Sequence, residues 1–458
     1  MRQVQCKYYA FLVPEEFYHL EHDKIRLQLI ELVTSLPTGA HISLIIPLTG
    51  DFMHYEFWNN IKIENVSVML YLSQEVDDCI IRRWCTEPIS AVMVHAAKFV
   101  HEYKFPVLPD YLQVMLRKFI TKSPPAVILM SDSNQITYIN GLKWFVSKVE
   151  IDPASDILID PLQPLKDDLS LEIYEVFEKD IIKYDQYEKA IFRALKDINM
   201  PNVKVLVIGP GRGPLLDRLL KVIKKLECQY QIDSVEKNSN CYAILKERNL
   251  KEWNGTINLI KDDVRTWKDI NYNLVISELL GSFGCNESCP EILQKFTNEN
   301  TIMIPQSYEN YLQPIYSPLI SEIKNEQLER PYLVKLNSFY NMSGIQPIWK
   351  FNHPTKDTTS RLKAIDFHVP YQGKINGFQG YFIANLYETI QIGIHPQMEE
   401  GFCKSWYPFL FPILEIHCNS NSNLSFLIER ISDNKVWYEW SVNNKVYNKD
   451  GLYYSIGL

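Results

Sequence analysis

Short hydrophobic runs alternate with longer amphipathic stretches over residues 41–145. The runs have the length and composition of β-strands, and apolar residues recur at helical spacing between them, at residues 75–84 and 108–121. The predicted strands are residues 42–48, 66–72, 89–94 and 126–130. This alternation indicates a parallel sheet with covering helices. Because no set of acids, histidines or nucleophiles converges in this region, we expect its charged residues to be solvated.

The middle of the chain contains a strand, a glycine turn and a helix in direct succession. Prolines indicate a domain boundary at residues 152–163, and residues 169–195 then have helical character. The β-rich run 203–208 ends in Gly209-Pro-Gly211-Arg-Gly213, and residues 215–226 are again helical. The boundary prolines are Pro153, Pro161 and Pro164. Glycines at such a turn allow a ligand to approach the backbone, and the following helix offers free amide groups.

Acidic residues follow the next three predicted strands. Strand 231–235 ends in Glu236, where an acid can accept hydrogen bonds from ribose hydroxyls. Residues 259–260 lead to Asp263, which can bind an adenine amino group, and strand 274–277 ends at Glu278. Ligands bind at such strand ends in open α/β sheets, so a nucleotide-like ligand is predicted. Pro214 occupies the position where a dinucleotide fingerprint has glycine, which favours an adenosyl ligand without pyrophosphate.

Two carboxylates, Glu278 and Glu287, flank a loop that contains Gly281 and Gly284. Glycine allows the loop to fold back and bring the two acids together. A pair of carboxylates suits a guanidinium, because its planar fork presents five donors and stays charged. The alternative is two solvated acids on a surface loop.

The residue pattern changes again after residue 305, where tyrosines and short extended runs become frequent. Alternation of apolar and polar residues predicts an antiparallel sheet or barrel of short strands. The predicted strands are residues 382–394, 413–418, 424–428 and 436–440.

Composition narrows the functional class. The chain has 458 residues, more than one core usually supports, and its 46% hydrophobic content is typical of folded proteins. The net charge of -8 lacks the basic character that is typical of nucleic-acid-binding proteins, and it favours basic partners. The nine scattered cysteines indicate a reducing compartment, and Cys285 and Cys289 lack the further ligands of a metal site. We find neither a signal peptide nor a membrane-spanning segment in the sequence.

The order of the motifs resembles that of the protein arginine methyltransferases, and within them the symmetric-dimethylating type II branch. The matching segments are Pro161-Leu-Gln-Pro164-Leu, Tyr174-Glu-Val-Phe177-Glu-Lys-Asp180, the glycine turn at 207–214, Val235-Glu-Lys-Asn238, Ser277-Glu-Leu-Leu-Gly-Ser-Phe283, Asn286-Glu287, Ser405-Trp406, Phe411-Pro-Ile413 and Lys435-Val-Trp-Tyr-Glu-Trp440. Upstream, residues 83–89 and 105–108 resemble the later part of the TIM barrel that precedes the catalytic domain in this family.

The resemblance implies an α/β plus β fold in three parts. A partial TIM-barrel-like module is expected at residues 1–148, and a Rossmann-like class I methyltransferase domain that binds S-adenosylmethionine at 161–304. A C-terminal antiparallel β-barrel with a dimerisation segment is expected at 305–458. The N-terminal module is much shorter than in the family, so its early β/α units are expected to be absent, and closure of the barrel stays open.

Site residues follow from the resemblance, residue by residue. Contacts with S-adenosylmethionine are implied for Tyr174, Lys183, Tyr184, Gly209, Gly211, Glu236, Asp263 and Val264. Glu278 and Glu287 match the acids that hold the target arginine, and Phe177 matches the aromatic residue that shapes the site for symmetric dimethylation. Trp406 would lie beside the substrate, and Ser405 before it favours the type II branch. Pro210 and Val264 replace the usual Ala and Met without removing a charged group.

The implied reaction is methyl transfer to arginine in Gly/Arg-rich protein segments such as histone tails and splicing proteins, in the cytoplasm and nucleus. The resemblance implies that the chain self-associates through its C-terminal barrel, as its relatives do. Relatives also bind a WD-repeat protein through the TIM barrel, and because the N-terminal module is short, binding of this partner stays open. Neither nucleic acid nor a membrane is an expected direct partner. Two alternatives remain: a catalytically silent scaffold of the same fold, and a nicotinamide-dependent oxidoreductase, which Pro214 and the lack of a hydride-transfer constellation disfavour.

Overall fold

The computed structural model describes residues 8–37, 40–102, 105–122, 125–131, 136–150, 155–167, 169–200, 202–227, 229–268, 270–298 and 300–457. These residues form two compact units. The first takes the chain up to Ile157 together with Tyr316–Leu319 and Leu336–Asn341, and the second takes the remainder from Leu158. Pro153, part of the predicted boundary, lies outside the described residues. The predicted boundary between residues 304 and 305 falls inside the second unit.

The first unit contains a five-stranded parallel sheet in the order β1-β2-β3-β4-β7. Its strands are β1 (Tyr8–Leu12), β2 (His41–Leu48), β3 (Val66–Leu72), β4 (Ile89–His95) and β7 (Ala126–Met130), beside the hairpin β5 (Val100–Glu102) and β6 (Phe105–Val107). Its helices are α1 (His22–Ser35), α2 (Met53–Ile61), α3 (Asp78–Trp84), α4 (Asp110–Lys122) and α5 (Ile136–Ser147). The four predicted strands and two predicted helices are confirmed, and no pairing joins β1 to β7 in the described ranges, so this sheet is open.

Two charged side chains of this unit are buried, which corrects the prediction that its charges are all solvated. Arg83 is 3% exposed and lies 4.9 Å from the ring centre of Phe52 and 4.6 Å from that of Tyr340. Glu87 accepts hydrogen bonds from the Tyr55 hydroxyl and the Trp58 indole, each at 2.9 Å. Aromatic faces and indole or phenol donors can compensate such burial, and sequence patterns do not show them.

The strand β8 (Ile157–Ile159) spans the division between Ile157 and Leu158. The second unit contains a parallel sheet in the order β11-β10-β9-β12-β13. Its strands are β9 (Asn202–Ile208), β10 (Gln229–Glu236), β11 (Ile257–Lys261), β12 (Leu274–Ser277) and β13 (Ile302–Ile304). Its helices are α6 (Leu171–Glu178), α7 (Ile181–Ile198), α8 (Pro214–Leu226), α9 (Ser239–Lys251) and α10 (Cys289–Gln294). The helical stretch predicted at 169–195 is therefore two helices, which break at Lys179 and Asp180. Proline at the first position of α8 fits a helix start, where its missing amide hydrogen costs nothing.

The C-terminal part of this unit consists of two antiparallel sheets. One has the order β14-β19-β21-β15-β8, with β17 on β14 and β20 on β19, and the other has the order β18-β22-β23-β24, with β25 on β23. The strands are β14 (Ser307–Tyr316), β15 (Tyr332–Lys335), β17 (Gln346–Asn352), β18 (Arg361–Val369), β19 (Gly373–Tyr387), β20 (Ile390–Gly393), β21 (Phe409–Cys418), β22 (Ser422–Ser432), β23 (Lys435–Val442), β24 (Lys445–Tyr447) and β25 (Ile456–Gly457). The strand β16 (Tyr340–Asn341) belongs to the first unit, and the short helix α11 (Pro318–Ser321) spans the division after Leu319. Aromatic contacts join the sheets: Phe378 of β19 stacks on Phe426 of β22 at 3.8 Å between ring centres.

Among the helices that the structure describes, none combines the length and apolar character needed to cross a membrane.

Candidate active site

A cavity opens at the carboxyl ends of β9, β10 and β12. Every site residue predicted from the sequence lines it except Lys183 and Ser405. The predicted residues in its wall are Tyr174, Phe177, Tyr184, Gly209, Gly211, Glu236, Asp263, Val264, Glu278, Glu287 and Trp406. The fold thus brings together residues that are up to 232 positions apart in the sequence, from Tyr174 in α6 to Trp406 just before β21.

The glycine turn after β9 requires glycine for two reasons. Gly209, Gly211 and Gly213 have φ angles of 63°, 56° and 109°, which other residues rarely adopt. A Cβ atom on Gly211 would also lie 3.1 Å from Cδ1 of Tyr174. The Glu236 carboxylate accepts the Gly211 amide at 2.9 Å and the Asn238 amide at 2.7 Å. Glu236 therefore fixes the turn, a role that the sequence analysis did not predict for it.

Asp263 is held by the residue two positions later. Arg265 donates to its carboxylate from the backbone amide at 3.0 Å, from Nε at 2.9 Å and from Nη2 at 2.5 Å. These hydrogen bonds lower the pKa of Asp263 although its partial burial opposes this. Asp263 thus remains an ionised acceptor at the cavity wall.

Lys183 lies behind the cavity wall with no solvent exposure, and its ammonium donates a hydrogen bond to the carboxylate of Glu278. Three aromatic rings surround the ammonium nitrogen. Their centres lie at 4.7 Å for Trp406, 5.1 Å for Tyr184 and 5.3 Å for Phe177. Aromatic faces attract cations, so this part of the site is built to hold positive charge.

The loop between the two acids folds back as predicted. Gly281 and Gly284 bridge each other through their backbones, and Gly284 has a φ of 58°. The Phe283 amide donates to Asn286 Oδ1 at 2.7 Å, which closes the turn ahead of Glu287. Burial raises the pKa of Glu287 to about 8, and the charge of Glu278 contributes to the shift, whereas Lys183 opposes it.

Ser405 supports the site from outside the cavity. Its backbone amide donates to Asp180 Oδ2 at 2.8 Å, so the segment before Trp406 is tied to the start of α7. The Ser405 hydroxyl is buried and has no hydrogen-bond partner in the described part of the chain.

Several residues that line the cavity were not predicted as site residues from the sequence. They include Glu178 and Arg212, whose side chains form an ion pair at 3.1 Å. Burial raises the pKa of Glu178, and the charge of Arg212 opposes this shift. Glu178 lies in the segment 174–180 and Arg212 in the glycine turn 209–213, both of which the sequence had already indicated as site segments. Their position in these segments was the signal that could have identified them. In the ranges described, no three His, Cys, Asp or Glu side chains cluster as a metal site would require.

Comparison with known families covers nearly the whole chain. The family models described as PRMT5 TIM barrel domain, PRMT5 arginine-N-methyltransferase and PRMT5 oligomerisation domain match residues 5–160, 146–307 and 307–455 in turn. The chain belongs to the PRMT5 family. This confirms the predicted family, and the match at residues 5–160 confirms that the open N-terminal sheet is part of a TIM-barrel-type module.

Individual relatives agree with this assignment. Protein arginine N-methyltransferase 5 of Xenopus laevis is 34% identical over 422 residues, which are 83% of this chain and 66% of the relative. Protein arginine N-methyltransferase skb1 of Schizosaccharomyces pombe is 34% identical over 415 residues, which are 81% of this chain and 66% of the relative. The chain thus spans slightly less than two thirds of the length of these two relatives.

A solved structure shows the same fold. The Trypanosoma brucei PRMT1 enzyme-prozyme heterotetrameric complex with AdoHcy superposes with a TM-score of 0.50 at 14% sequence identity, covering 60% of this chain and 94% of that one. The predicted fold class, with a methyltransferase domain followed by a β-barrel domain, is confirmed.

Proposed function

We propose that this chain transfers methyl groups from S-adenosylmethionine to the terminal guanidinium nitrogens of arginine in proteins, giving monomethylarginine and symmetric dimethylarginine. One observation carries the proposal: Glu278 and Glu287 line the same cavity as the glycine turn after β9. Cofactor and arginine sites would then share one cavity. The names of the relatives, which are protein arginine N-methyltransferases, support the same reaction.

The residues at the strand ends fit the proposed cofactor. When bound, S-adenosylmethionine supplies a methyl group on a positively charged sulfur. Gly209 and Gly211 have no side chains to block a ligand at the backbone. The Glu236 carboxylate lies in the cavity wall, where carboxylate oxygens can accept hydrogen bonds from ribose hydroxyls, and ionised Asp263 can accept from an adenine amino group. The related trypanosomal complex contains AdoHcy.

Glu278 and Glu287 would hold the guanidinium and direct its reacting nitrogen. Two ionised carboxylates localise positive charge on the nitrogens they contact, which leaves the remaining nitrogen more electron-rich. Alignment of reacting groups can contribute on the order of 7–11 kcal/mol in favourable intramolecular models. The nitrogen that gains a methyl group releases a proton, and Glu287, whose pKa is raised to about 8, is suited to accept it.

The aromatic residues would define the product. Phe177, Tyr184 and Trp406 surround the cationic end of the cavity, behind whose wall the Lys183 ammonium lies. We propose that Phe177 crowds the methylated nitrogen, so that the second methyl group goes to the other terminal nitrogen. Trp406 would then pack beside the arginine side chain.

Gly/Arg-rich protein segments, including histone tails and splicing proteins, are the proposed substrates, and the net charge of -8 favours their approach.

The match of residues 307–455 to an oligomerisation domain supports self-association. Binding of a WD-repeat partner stays open, and co-purification with the full chain tests it. Residence in cytoplasm and nucleus is proposed from the resemblance and is tested by imaging a tagged chain.

The test of the reaction is incubation of the full chain with a Gly/Arg-rich peptide and S-adenosylmethionine, followed by mass-spectrometric fragmentation. We expect monomethylarginine and symmetric dimethylarginine, and no product from a peptide with lysine in place of arginine. Binding of S-adenosylmethionine without any methylated product would instead support the silent scaffold.

A further inference from the structure

A buried arginine of the C-terminal sheets reaches the segment that carries Glu287. Arg430 has no solvent exposure and lies in β22, which pairs with β18 on one side and β23 on the other. Its guanidinium forms a two-point ion pair with Glu291, with Nη1 2.7 Å from Oε1 and Nη2 2.9 Å from Oε2. Because both neighbouring strands fix the backbone of Arg430, its head is a rigid anchor.

The same guanidinium also contacts the main chain on the other side of Glu287. Nη2 donates to the Cys285 carbonyl at 3.2 Å, whereas Nη1 donates to the Thr359 carbonyl at 2.9 Å. One side chain thus anchors the chain two residues before Glu287 and four residues after it. Residues 285–288 lie in neither a helix nor a strand, and Ser288 has a left-handed φ of 56°.

Two further contacts hold the chain at Phe283 and Cys285, just before Glu287. The Asn310 amide donates to the Phe283 carbonyl at 2.5 Å, and the Tyr438 hydroxyl lies 3.2 Å from Cys285 Sγ. Asn310 belongs to β14 and Tyr438 to β23, so all of these contacts come from the C-terminal sheets. None of them touches the cavity.

We propose that Arg430 is a positioning residue for Glu287, and that the C-terminal sheets set the spacing of the two acids through its contacts with Glu291 and the Cys285 carbonyl. The inference rests on the proposed function, because it assigns Glu287 to the arginine site. Arg430 acts through the loop and does not contact the substrate. A misplacement of about 1 Å in such a site can reduce turnover about 100-fold.

The decisive variant is the double substitution Arg430→Met and Glu291→Met. Breaking one side of a buried ion pair strands a charge, whereas replacing both sides with apolar residues often preserves stability. Arg430→Lys is the second variant, since it keeps the charge but cannot form the two-point contact. Arg361→Met is the matched control: Arg361 lies 4.3 Å from the ring centre of Phe351, which Arg430 also approaches at 5.5 Å, but its guanidinium donates to the carbonyls of Thr358 and Ser360.

Thermal melting first establishes that each variant is folded, and calorimetry then measures binding of S-adenosylhomocysteine and of a Gly/Arg-rich peptide in its presence. We expect both Arg430 variants to bind S-adenosylhomocysteine like the parent chain, while peptide affinity and kcat fall, kcat by about 100-fold. The pH at which peptide binding strengthens should also move down, because Glu287 would lie farther from Glu278. Arg361→Met should retain all these properties.

Parent-like peptide affinity and parent-like pH dependence in the folded double variant would overturn the inference. Peptide binding is measured without turnover, so the result does not depend on catalysis. A parent chain that binds peptide without methylating it would contradict the proposed function, and the peptide-binding comparison would still decide the role of Arg430.

Discussion

Glu287 and Glu278 line one cavity, and the charge of Glu278 adds to burial in raising the pKa of Glu287 to about 8. The two acids therefore differ in their surroundings. Glu278 accepts a hydrogen bond from the buried ammonium of Lys183, whereas Glu287 lies at the other end of the loop, two residues before the start of α10. A bound guanidinium would stabilise the ionised form of Glu287.

Activity should depend on pH in the direction set by Glu287. Arginine binding requires its carboxylate, so binding of a cationic peptide is coupled to loss of a proton from a group whose pKa is about 8. We expect kcat/KM for a Gly/Arg-rich peptide to rise between pH 6 and pH 8.5, and a pH–rate profile measures this. A profile that is flat over this range while the protein stays folded would contradict the assignment.

Replacing either acid by its amide should abolish turnover. In Glu278→Gln or Glu287→Gln the guanidinium loses a charged partner, and we expect kcat to fall at least about 100-fold, as for loss of one preorganised group in other enzymes. Affinity for S-adenosylmethionine, measured by calorimetry, should be retained. Near-normal turnover in either variant would refute the clamp.

Glu287→Gln also has a predicted effect on stability. The folded state binds the Glu287 proton more tightly than the unfolded state, because the pKa rises from an ordinary 4.5 to about 8. The acid therefore destabilises the fold increasingly as the pH rises from 4.5 through 8, and has no such effect below 4.5. We expect the variant to gain melting temperature over the parent chain at pH 8.5 and not at pH 4.

The glycine turn offers a test of the cofactor site. Gly211→Ala would place a Cβ atom 3.1 Å from the Tyr174 ring at a φ of 56°, so we expect S-adenosylmethionine affinity to fall at least about 10-fold. Gly255→Ala is the control, because Gly255 has a similar φ of 70° but nothing within 4 Å of the added atom. Equal cofactor affinities of the two variants would show that the turn does not form the binding site.

Phe177 tests the origin of the product geometry. Phe177→Met keeps an apolar side chain but removes the rigid ring from the cationic end of the cavity, 5.3 Å from the Lys183 ammonium. We expect some asymmetric dimethylarginine among the products, which mass-spectrometric fragmentation distinguishes. An exclusively symmetric product would argue against a steric role for this ring.

Local patterns were sufficient for much of the fold. β9, the glycine turn and α8 could be predicted because strand, turn and helix follow one another in the sequence, each with its own periodicity. β1 (Tyr8–Leu12) was not predicted, and four of its five residues are exposed, so no alternation of buried and polar positions marks it. The break between α6 and α7 was missed because Phe177 and Ile181, on either side of Asp180, keep the four-residue spacing of a continuous helix.

The site could be predicted less completely, because its charges are paired across long distances in the chain. Lys183 and Glu278 lie 95 residues apart, and Arg430 and Glu291 lie 139 apart. Strand-end position identified Glu236 and Asp263, but not the backbone amides and the arginine that hold them. Such pairings depend on how the sheets bring segments together, which the periodicity of one segment does not specify.

The most direct test of the two-acid clamp is a crystal structure with S-adenosylhomocysteine and a Gly/Arg-rich peptide bound. The clamp predicts that an arginine head lies within hydrogen-bond distance of both Glu278 and Glu287, with its free terminal nitrogen facing the sulfur. An arginine bound elsewhere, with both acids facing solvent, would contradict it.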